Sequence, residues 1–348
     1  MDVGIKNSAE MKPGHLSRDI EYTARQDVFT SPLLSEALMR YLAILFSLIS
    51  TTIYADALET INQKKWIHGA ADCNTNKDPA IDIFQYKQNT YILRQNKCLN
   101  YEAPFIYVLF GSHTVFIQDT GATADANLFP LYETVMKLVE ERTAKGLKIL
   151  VTHSHSHGDH TAADNQFEGK PGVTLIKPTA GSVQQYFGFN DWPNGNAHID
   201  LGERELTVIP IPGHQDESLA IYDPQTQWLL TGDTFYPGRL YIRDWDDYRS
   251  SIQTLVKFAE NQPISAVLGT HIEMTSAAGK DYPIGSTYQP DEAPLALSLA
   301  ALKLLNKNLE ELGSEPQEKT MSRFIISPIS ALQRYVGGAL GWLMKKLN

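Results

Sequence analysis

The sequence is short of cysteine and of positive charge, and both shortages exclude classes of protein. Only two of its 348 residues are cysteine, and 30 basic residues face 40 acidic ones, for a formal net charge of −10. A general nucleic-acid-binding protein normally carries a basic footprint, which this chain lacks, so we expect no nucleic-acid partner. The chain also has no evident internal repeat or low-complexity tract, and its 43% hydrophobic content excludes a wholly disordered protein.

No apolar run long enough to cross a membrane stands near the N-terminus, although a shorter one does. Residues 41–55 read YLAILFSLISTTIYA, which is 15 residues against the roughly 20 that a membrane-spanning helix needs. This run, with Arg40 before it and small residues at 55–57, is typical of a signal peptide. We therefore predict an N-terminal extension and signal peptide over 1–57, and a periplasmic or secreted protein. One explanation for the polar residues before it is that translation starts at Met39. The alternatives are an amphipathic helix packed on the domain and an uncleaved anchor.

Both cysteines, Cys73 and Cys98, follow this segment. An even number of cysteines in an exported chain favours a disulfide. The alternative is two buried free thiols. A metal site is disfavoured, because the chain has no CxxC motif and neither cysteine has a histidine near it in sequence.

Short strands and amphipathic helices share the rest of the chain. Residues 81–119 contain several β-type runs, and residues 128–146 contain a helix pattern that Gly146 ends. A second helix is predicted over 246–261, where Asp246 would be its N-cap. Strands followed by strand–helix alternation indicate a layered α/β architecture.

Four predicted strands after residue 147 each lead into a potential metal ligand. KILVT runs into the histidine-rich segment HSHSHGDH, TVIPIPG ends at His214, WLLTG ends at Asp233 and AVLGT ends at His271. Ligands in open α/β sheets collect beyond the carboxyl ends of strands. The sequence therefore predicts that these side chains form one site.

The spacing within the histidine-rich segment predicts two neighbouring ions. His155 and His157 are two residues apart, so in an extended segment both rings point to the same side, whereas a turn can direct the adjacent Asp159 and His160 to a second position. The ligand count gives His155, His157 and His214 for one ion and Asp159, His160 and His271 for the other, with Asp233 as a bridge. Imidazole and carboxylate ligands suit Zn²⁺, so we predict two zinc ions, with Fe or Mn as alternatives.

The motifs HSHGDH, PGH, TGD and GTH, in this order, resemble those of the metallo-β-lactamase superfamily of binuclear hydrolases. The segment DTG at 119–121 resembles the early strand-ending aspartate of the family, usually a residue that supports the ligands. The resemblance implies a four-layer αβ/βα sandwich and the ligand assignment given above. We accordingly predict a catalytic domain over 58–292 and a C-terminal helical extension over 293–348.

The resemblance also implies an activity. It predicts a metal-dependent hydrolase in which hydroxide activated by two ions attacks an ester, thioester or lactone carbonyl of a small molecule. Asp233 favours the glyoxalase-II-like, lactonase and phosphodiesterase branches, because members named for β-lactam hydrolysis generally lack this aspartate. The alternatives are a β-lactam hydrolase, a phosphodiesterase and a degenerate binding module without catalysis.

Several other side chains are candidates for roles around the site. We predict that Asp159 handles a proton as well as binding metal. Tyr236 resembles the lactonase tyrosine that donates to the substrate carbonyl, with loop packing as the alternative. His153 is predicted to lie outside the ligand set as a supporting or structural residue. Arg239 and Tyr241 are candidates for the pocket wall, with surface or salt-bridge roles at least as well favoured.

The C-terminal segment carries Trp342 and Leu343 beside two lysines. We predict that it docks on the domain. Contact with a membrane surface and self-association are the alternatives.

Overall fold

Two β-sheets of six strands each form the centre of the structure, a computed structural model that describes residues 57–142 and 146–330. The apolar run at 41–55 and the terminal segment after residue 330 lie outside the described residues, and so do the structural predictions made for them. No helix of the described ranges is long and apolar enough to span a membrane.

The first sheet contains its strands in chain order, as β1 (Ile81–Lys87), β2 (Thr90–Gln95), β3 (Phe105–Phe110), β4 (Thr114–Gln118), β5 (Lys148–Thr152) and β6 (Val173–Leu175). β1 to β4 form an antiparallel meander, and β5 and β6 continue the sheet parallel to β4. β2 and β3 are buried along their whole length, which suits their β-branched and aromatic residues.

The later strands are β7 (Ala197–Asp200), β8 (Glu205–Pro210), β9 (Leu219–Asp223), β10 (Trp228–Gly232), β11 (Arg239–Ile242), β12 (Ala266–Gly269), β13 (Ala296–Leu297), β14 (Lys319–Thr320) and β15 (Ile325–Pro328). The second sheet has the order β13-β12-β10-β9-β8-β7, and a small third sheet has the order β11-β15-β14. Strand β13 therefore ties the chain beyond residue 292 to the second sheet, which carries predicted ligands, and β15 ties it to β11 in the third sheet.

The helices are α1 (57–63), α2 (Leu131–Glu140), α3 (Gly158–Thr161), α4 (Ala180–Phe187), α5 (Trp245–Asn261) and α6 (Leu299–Leu312). α5 begins at Trp245, and the Asp244 carboxylate caps it by accepting a hydrogen bond from the Asp247 N–H at 3.0 Å. The prediction that Asp246 caps this helix is wrong, because the chain is already helical one residue earlier. Asp246 instead lies in the first turn, where a negative charge is still favourable.

Three buried hydrophobic clusters separate four layers of secondary structure, with helices on the outside and the two sheets between them. In β3, Phe105, Tyr107 and Leu109 face the second sheet, whereas the alternate residues face α2, as the two-residue period of a strand requires. The opposite face of the second sheet packs against α5 and α6. The predicted αβ/βα sandwich is therefore confirmed, with one core between the sheets and one under each outer helical layer.

Strand direction places three of the predicted ligands, His214, Asp233 and His271, at one edge of the second sheet. β10 runs parallel to β12 and antiparallel to β9, which in turn runs antiparallel to β8. β8, β10 and β12 therefore point the same way, and the loops that follow their carboxyl ends meet.

The two cysteines are joined as predicted. A disulfide links Cys73 to Cys98, 25 residues later in the chain. It ties the segment before β1 to the loop that follows β2.

Candidate metal centre

All seven predicted ligands come together at the edge of the sandwich. The segment after β5 supplies four of them, and the loops after β8, β10 and β12 supply the other three, which gives two groups of side chains: His155, His157, His214 and Asp233 in the first, and Asp159, His160, His271 and Asp233 in the second. Within each group, one ligand atom per residue lies within 4.8 Å of every other. Asp233 belongs to both groups.

The first group, apart from Asp233, consists of imidazoles. The Nε2 atom of His155 lies 2.9 Å from Nδ1 of His157 and 3.2 Å from Nε2 of His214. His155 and His214 are buried, with 1% and 3% of their surface exposed, whereas His157 is half-buried beside the cavity described below.

The second group mixes imidazole with carboxylate. The Oδ2 atom of Asp159 lies 3.2 Å from Nε2 of His160 and 3.2 Å from Nε2 of His271. His160 is fully buried, and the Asp159 side chain keeps 20% of its surface exposed. Asp159 is therefore the ligand of this group that is most accessible from outside.

Asp233 stands between the two groups. Its Oδ2 atom lies 3.6 Å from Nε2 of His155 and 3.5 Å from Nε2 of His160. Its Oδ1 atom faces Nε2 of His271 at 3.4 Å and accepts a hydrogen bond from the Thr270 hydroxyl. A carboxylate with two oxygens is the side chain that can serve two ions at once.

Backbone carbonyls orient two of the rings. The Nδ1–H of His214 donates to the carbonyl oxygen of Tyr241 at 2.7 Å, and the Nδ1–H of His271 donates to that of Glu102 at 3.0 Å. Because a carbonyl oxygen only accepts, each Nδ1 must carry a proton, which leaves the Nε2 lone pair directed into the site.

Asp119, predicted as a supporting residue, fixes two more rings. Its fully buried carboxylate lies 3.0 Å from Nδ1 of His160 and accepts hydrogen bonds from the backbone N–H and the hydroxyl of Ser154. The Ser154 oxygen is then left to accept from Nδ1 of His155, at 3.1 Å. Such carboxylate–histidine contacts hold ligand rings in place. Asp119 adopts a positive φ of 71° at the end of β4.

Two glycines of the sequence motifs stand where a side chain would clash with neighbouring residues. Gly213 precedes His214 with a φ of 129°, and a Cβ there would lie 2.4 Å from the backbone of Tyr248. Gly232 precedes Asp233 with a φ of 53°, and a Cβ there would lie 2.5 Å from that of Ser154. Both positions need a residue without a side chain, so the glycines of PGH and TGD place their ligands.

The electrostatics of the first group favour neutral rings. Burial lowers the pKa of His155 well below its usual value, and the neighbouring His160 adds to this effect. Burial, followed by the neighbouring His214, lowers the pKa of His157 to about 4. At neutral pH these imidazoles are therefore uncharged, which is the form that binds metal.

The second group has the opposite electrostatics. Burial lowers the pKa of His271, but Asp233 and Asp159 outweigh it and raise the value to about 9. Burial also lowers the pKa of His160. The carboxylates of Asp159 and Asp233 more than compensate for burial, so this pKa lies well above its usual value. Both carboxylates stay ionised at neutral pH: burial would raise their pKa values, but the neighbouring histidines hold them well below the usual range.

The arrangement fits divalent cations. His155 and His214 each donate through Nδ1, so their Nε2 atoms, 3.2 Å apart, face each other as lone pairs and cannot form a hydrogen bond in the neutral state. A cation between them satisfies both. The five imidazoles and the two ionised carboxylates, those of Asp159 and Asp233, form a donor set of the kind that binds Zn²⁺.

A cavity of about 310 Å³ opens onto both groups. Its wall includes five of the ligands together with the loop 281–286 and the side chains of Lys97, Tyr236 and Tyr241. This volume falls within the range of small-molecule pockets. The Tyr241 hydroxyl is buried and has no hydrogen-bond partner within the described part of the chain.

The other predicted site residues have different surroundings. The Tyr236 hydroxyl lies 2.5 Å from the carbonyl oxygen of Arg239 and 3.1 Å from the Glu273 carboxylate, so its single proton already has acceptors. His153 lies outside both groups, with Nε2 2.8 Å from Asp164 and Nδ1 facing the carbonyl of Ile176. Arg239 lines the cavity but is paired with Asp281 at 2.6 Å. A catalytic role for Tyr236 stays a prediction.

Sequence reasoning missed Ser154, Glu273 and Lys97. Ser154 lies inside the histidine-rich segment, so its position beside the ligands was a usable signal. Glu273 follows His271 by two residues and offered the same signal. Lys97 had none, because a lysine between asparagine and cysteine reads as a surface residue.

The fold and the two ligand groups together define an α/β sandwich protein with a metal-binding site at the ends of its strands. The sequence model described as the metallo-beta-lactamase superfamily matches residues 102–305, which is more than half of the chain. The chain belongs to the metallo-β-lactamase superfamily. This match runs past residue 292, where the catalytic domain was predicted to end, and the domain boundary stays a prediction.

Two curated relatives match shorter stretches. The acyl-coenzyme A thioesterase MBLAC2 of Gallus gallus is 33% identical over 96 residues, which cover 26% of this chain and 34% of that protein. The hydroxyacylglutathione hydrolase of Rhizobium meliloti (strain 1021) is 26% identical over 148 residues, which cover 42% of this chain and 56% of that protein. The chain thus spans between a third and just over half of these relatives.

Solved structures of metallo-β-lactamases also resemble the chain. The metallo-beta-lactamase from Pontibacter korlensis has 16% sequence identity and a TM-score of 0.44, with 66% of this chain and 99% of that one covered. The DIM-1 metallo-beta-lactamase exposed to ceftazidime has 16% identity and a TM-score of 0.46, with 68% and 100% covered.

Proposed function

We propose that the protein is a hydrolase that uses two metal ions, zinc in the first instance, to cleave an ester, thioester or lactone bond of a small molecule. The observation that carries the proposal is the sharing of Asp233 by two adjoining ligand groups that open into one cavity. When bound, two divalent cations supply an activated water near neutral pH and polarise a carbonyl oxygen.

The protein's own residues orient the attacking water and the ligand rings. The Asp159 carboxylate, ionised and partly exposed in the cavity, can accept a hydrogen bond from the attacking water and orient it. Asp119 and the carbonyls of Glu102 and Tyr241 keep the ligand rings from rotating. Pre-orientation of this kind is needed because small errors in placement cost rate.

The names of the relatives favour a thioester among the three bonds. An acyl-coenzyme A thioesterase and a hydroxyacylglutathione hydrolase each release an acyl group from a thiol. Both matches cover only part of those proteins, so the preference for thioesters is part of the proposal. Hydrolysis of a β-lactam or a phosphodiester is the competing outcome of the test below.

The test is a hydrolysis screen of the zinc-loaded full chain against thioesters, lactones, β-lactams and phosphodiesters. We expect turnover of thioesters or other carbonyl esters, with little turnover in the Asp233→Ala variant, because both ligand groups lose a member. Cleavage confined to phosphodiesters or to β-lactams would refute the proposed bond. Intact metal binding without turnover of any class would favour a binding module.

We also propose that the protein is exported. The proposal rests on the apolar run at 41–55 with its small-residue cleavage site, and the Cys73–Cys98 disulfide supports it, because such bonds persist in oxidising compartments. N-terminal sequencing of protein made in a Gram-negative host should find a start near Asp56 or Leu58 in the periplasmic fraction. An intact Met1 in the cytoplasm would contradict export.

A further inference from the structure

Lys97 is a buried lysine that lines the cavity of the metal centre. It lies just beyond β2, and only 3% of its surface is exposed, although lysine is among the side chains that are almost never fully buried unless paired. The same cavity exposes the metal ligands His157, Asp159 and His271, so a molecule bound there reaches Lys97 and the ligands together.

The ammonium group of Lys97 has no carboxylate partner. Its Nζ donates one hydrogen bond, to the carbonyl oxygen of Tyr101 at 2.8 Å, and in the described ranges no carboxylate oxygen lies within 4.0 Å of it. The carboxylate of Glu292 is instead held by both terminal nitrogens of Arg94, at 2.5 and 2.6 Å. An unpaired buried charge is costly, and an anion that enters the cavity would remove that cost.

Lys97 carries its charge at neutral pH although its burial disfavours that charge. Burial, reinforced by the nearby Arg94, lowers the pKa of Lys97 to about 8, so most of it remains protonated at pH 7. Glu102 and Glu273 line the same cavity and act on Lys97 at longer range. The other long cationic side chain of this wall, Arg239, is already paired with Asp281. The unpartnered hydroxyl of Tyr241 is a second hydrogen-bond donor in the same wall.

We propose that Lys97 forms an anion-binding subsite of the cavity, and that the substrate carries a carboxylate or phosphate group which this subsite holds while the scissile bond lies at the ligand groups. The proposal rests on the proposed hydrolase function and narrows its substrate to anionic esters or thioesters. A lysine binds either anion as a point charge, so the experiment must separate the two.

The kinetic test uses two matched pairs of substrates with the zinc-loaded full chain. The first pair is the mono-4-nitrophenyl ester of glutaric acid and its methyl ester, which differ only by a carboxylate on the acyl side. The second pair is S-acetyl-3-mercaptopropionate and its methyl ester, with the carboxylate on the leaving thiol. In the parent protein we expect kcat/KM to favour the anionic member of at least one pair by about 10- to 100-fold, the range for hydrogen bonds to charged groups.

Lys97→Met keeps the length of the side chain and removes its charge. We expect this variant to lose the preference through a higher KM for the anionic member, with its methyl ester turned over within about twofold of the parent. Lys97→Arg, which keeps the charge, should restore part of the preference. Lys257→Met is the matched control, because Lys257 is an exposed lysine on α5 outside the cavity wall.

A binding measurement separates this proposal from the hydrolase proposal. Calorimetric titration of the same zinc-loaded proteins with glutarate and with inorganic phosphate should show about tenfold weaker binding to Lys97→Met than to Lys257→Met. The anion whose binding falls more identifies the group that the subsite takes. If no ester is hydrolysed but this difference is present, the anion subsite stands and the hydrolase proposal fails.

Three results would overturn the subsite. One is a parent protein that treats both members of both pairs alike. Another is equal loss of kcat/KM for anionic and methyl-ester substrates in Lys97→Met, which would show a structural role. The third is binding of both anions that does not change in Lys97→Met. If that variant fails to fold, the preference of the parent and its partial retention in Lys97→Arg still decide the matter.

Discussion

The two ligand groups of the metal centre use the same imidazole side chain in opposite charge states. In the first group, burial makes His155 and His157 poor bases, with the pKa of His157 lowered to about 4. In the second group, the carboxylates of Asp159 and Asp233 outweigh burial and raise the pKa of His271 to about 9. The first group is therefore ready to bind an ion as it stands, whereas the second must release protons before it can do so. The difference comes from the position of the carboxylates.

Asp233 is the one side chain that both groups share, so its removal should have the largest effect. In Asp233→Ala, we expect the metal content to fall from about two ions per chain to below one and the rate to fall by more than about 100-fold, since loss of a mere supporting residue already costs about 10- to 100-fold. Mass spectrometry of the metal content, together with turnover of any accepted ester, is the measurement. The exposed Asp246→Ala is the control. Unchanged stoichiometry with near-parent turnover would mean that TGD is only structural.

Single histidine variants should separate the groups. His214→Ala should weaken mainly the first ion, and His271→Ala mainly the second, so that each variant retains about one ion per chain. Zinc titration of both variants, followed by measurement of the tightly bound fraction, tests this expectation. Loss of both ions from both variants would show instead that the two groups bind as a single unit.

Proton release should distinguish the groups without any mutation. A histidine is protonated below its pKa, so at pH 7 the second ion must displace at least one proton, from His271 or His160, whereas the first ion displaces none from His155 or His157. Affinity for the second ion should accordingly rise with pH at least until about 9, where His271 loses its proton. Calorimetry in buffers of different ionisation enthalpy counts these protons. Equal release by both ions would contradict the comparison.

Tyr236 lies on the side of the second group, with its ring 5.7 Å from that of His271, and should give the smallest effect. Because the carbonyl of Arg239 already accepts its proton, we expect Tyr236→Phe to lower kcat by less than about tenfold. Tyr248→Phe is a matched control, since that buried hydroxyl donates to the carbonyl of Thr234 in a similar way. A loss of about 100-fold or more beyond the control would establish the oxyanion-donor role predicted from the sequence.

The ligand positions were readable from the sequence because each follows an apolar strand, and strand direction brings such positions to one edge. The cysteine pairing was predicted from their even number. β9 was not predicted, because its run of five residues is short and follows the PGH segment closely; it pairs antiparallel with β8 and β10, its neighbours in the sequence. The cap of α5 was misplaced by two residues, because adjacent aspartates satisfy the same local rule.

The residues of the cavity wall were much less predictable from the sequence than the metal ligands that the cavity exposes. Lys97 gave no local signal, and Tyr241 was a candidate for the wall with a surface role at least as well favoured, because the place of both depends on how deeply the sandwich buries them. Local sequence carries no record of that burial. The ligands, in contrast, belong to short motifs in which the residue types and their spacing can be recognised directly.

The ligands after β5 belong to the first sheet, and those after β8, β10 and β12 belong to the second. Ions held between them would clasp the two halves of the sandwich at one edge, in the manner of a cross-link that forms without a covalent bond. Each ion at 100 times its Kd would add about 2.7 kcal/mol to the free energy of unfolding. Growth conditions poor in metal would then lower the resistance of the chain to heat and to proteases, as well as its rate.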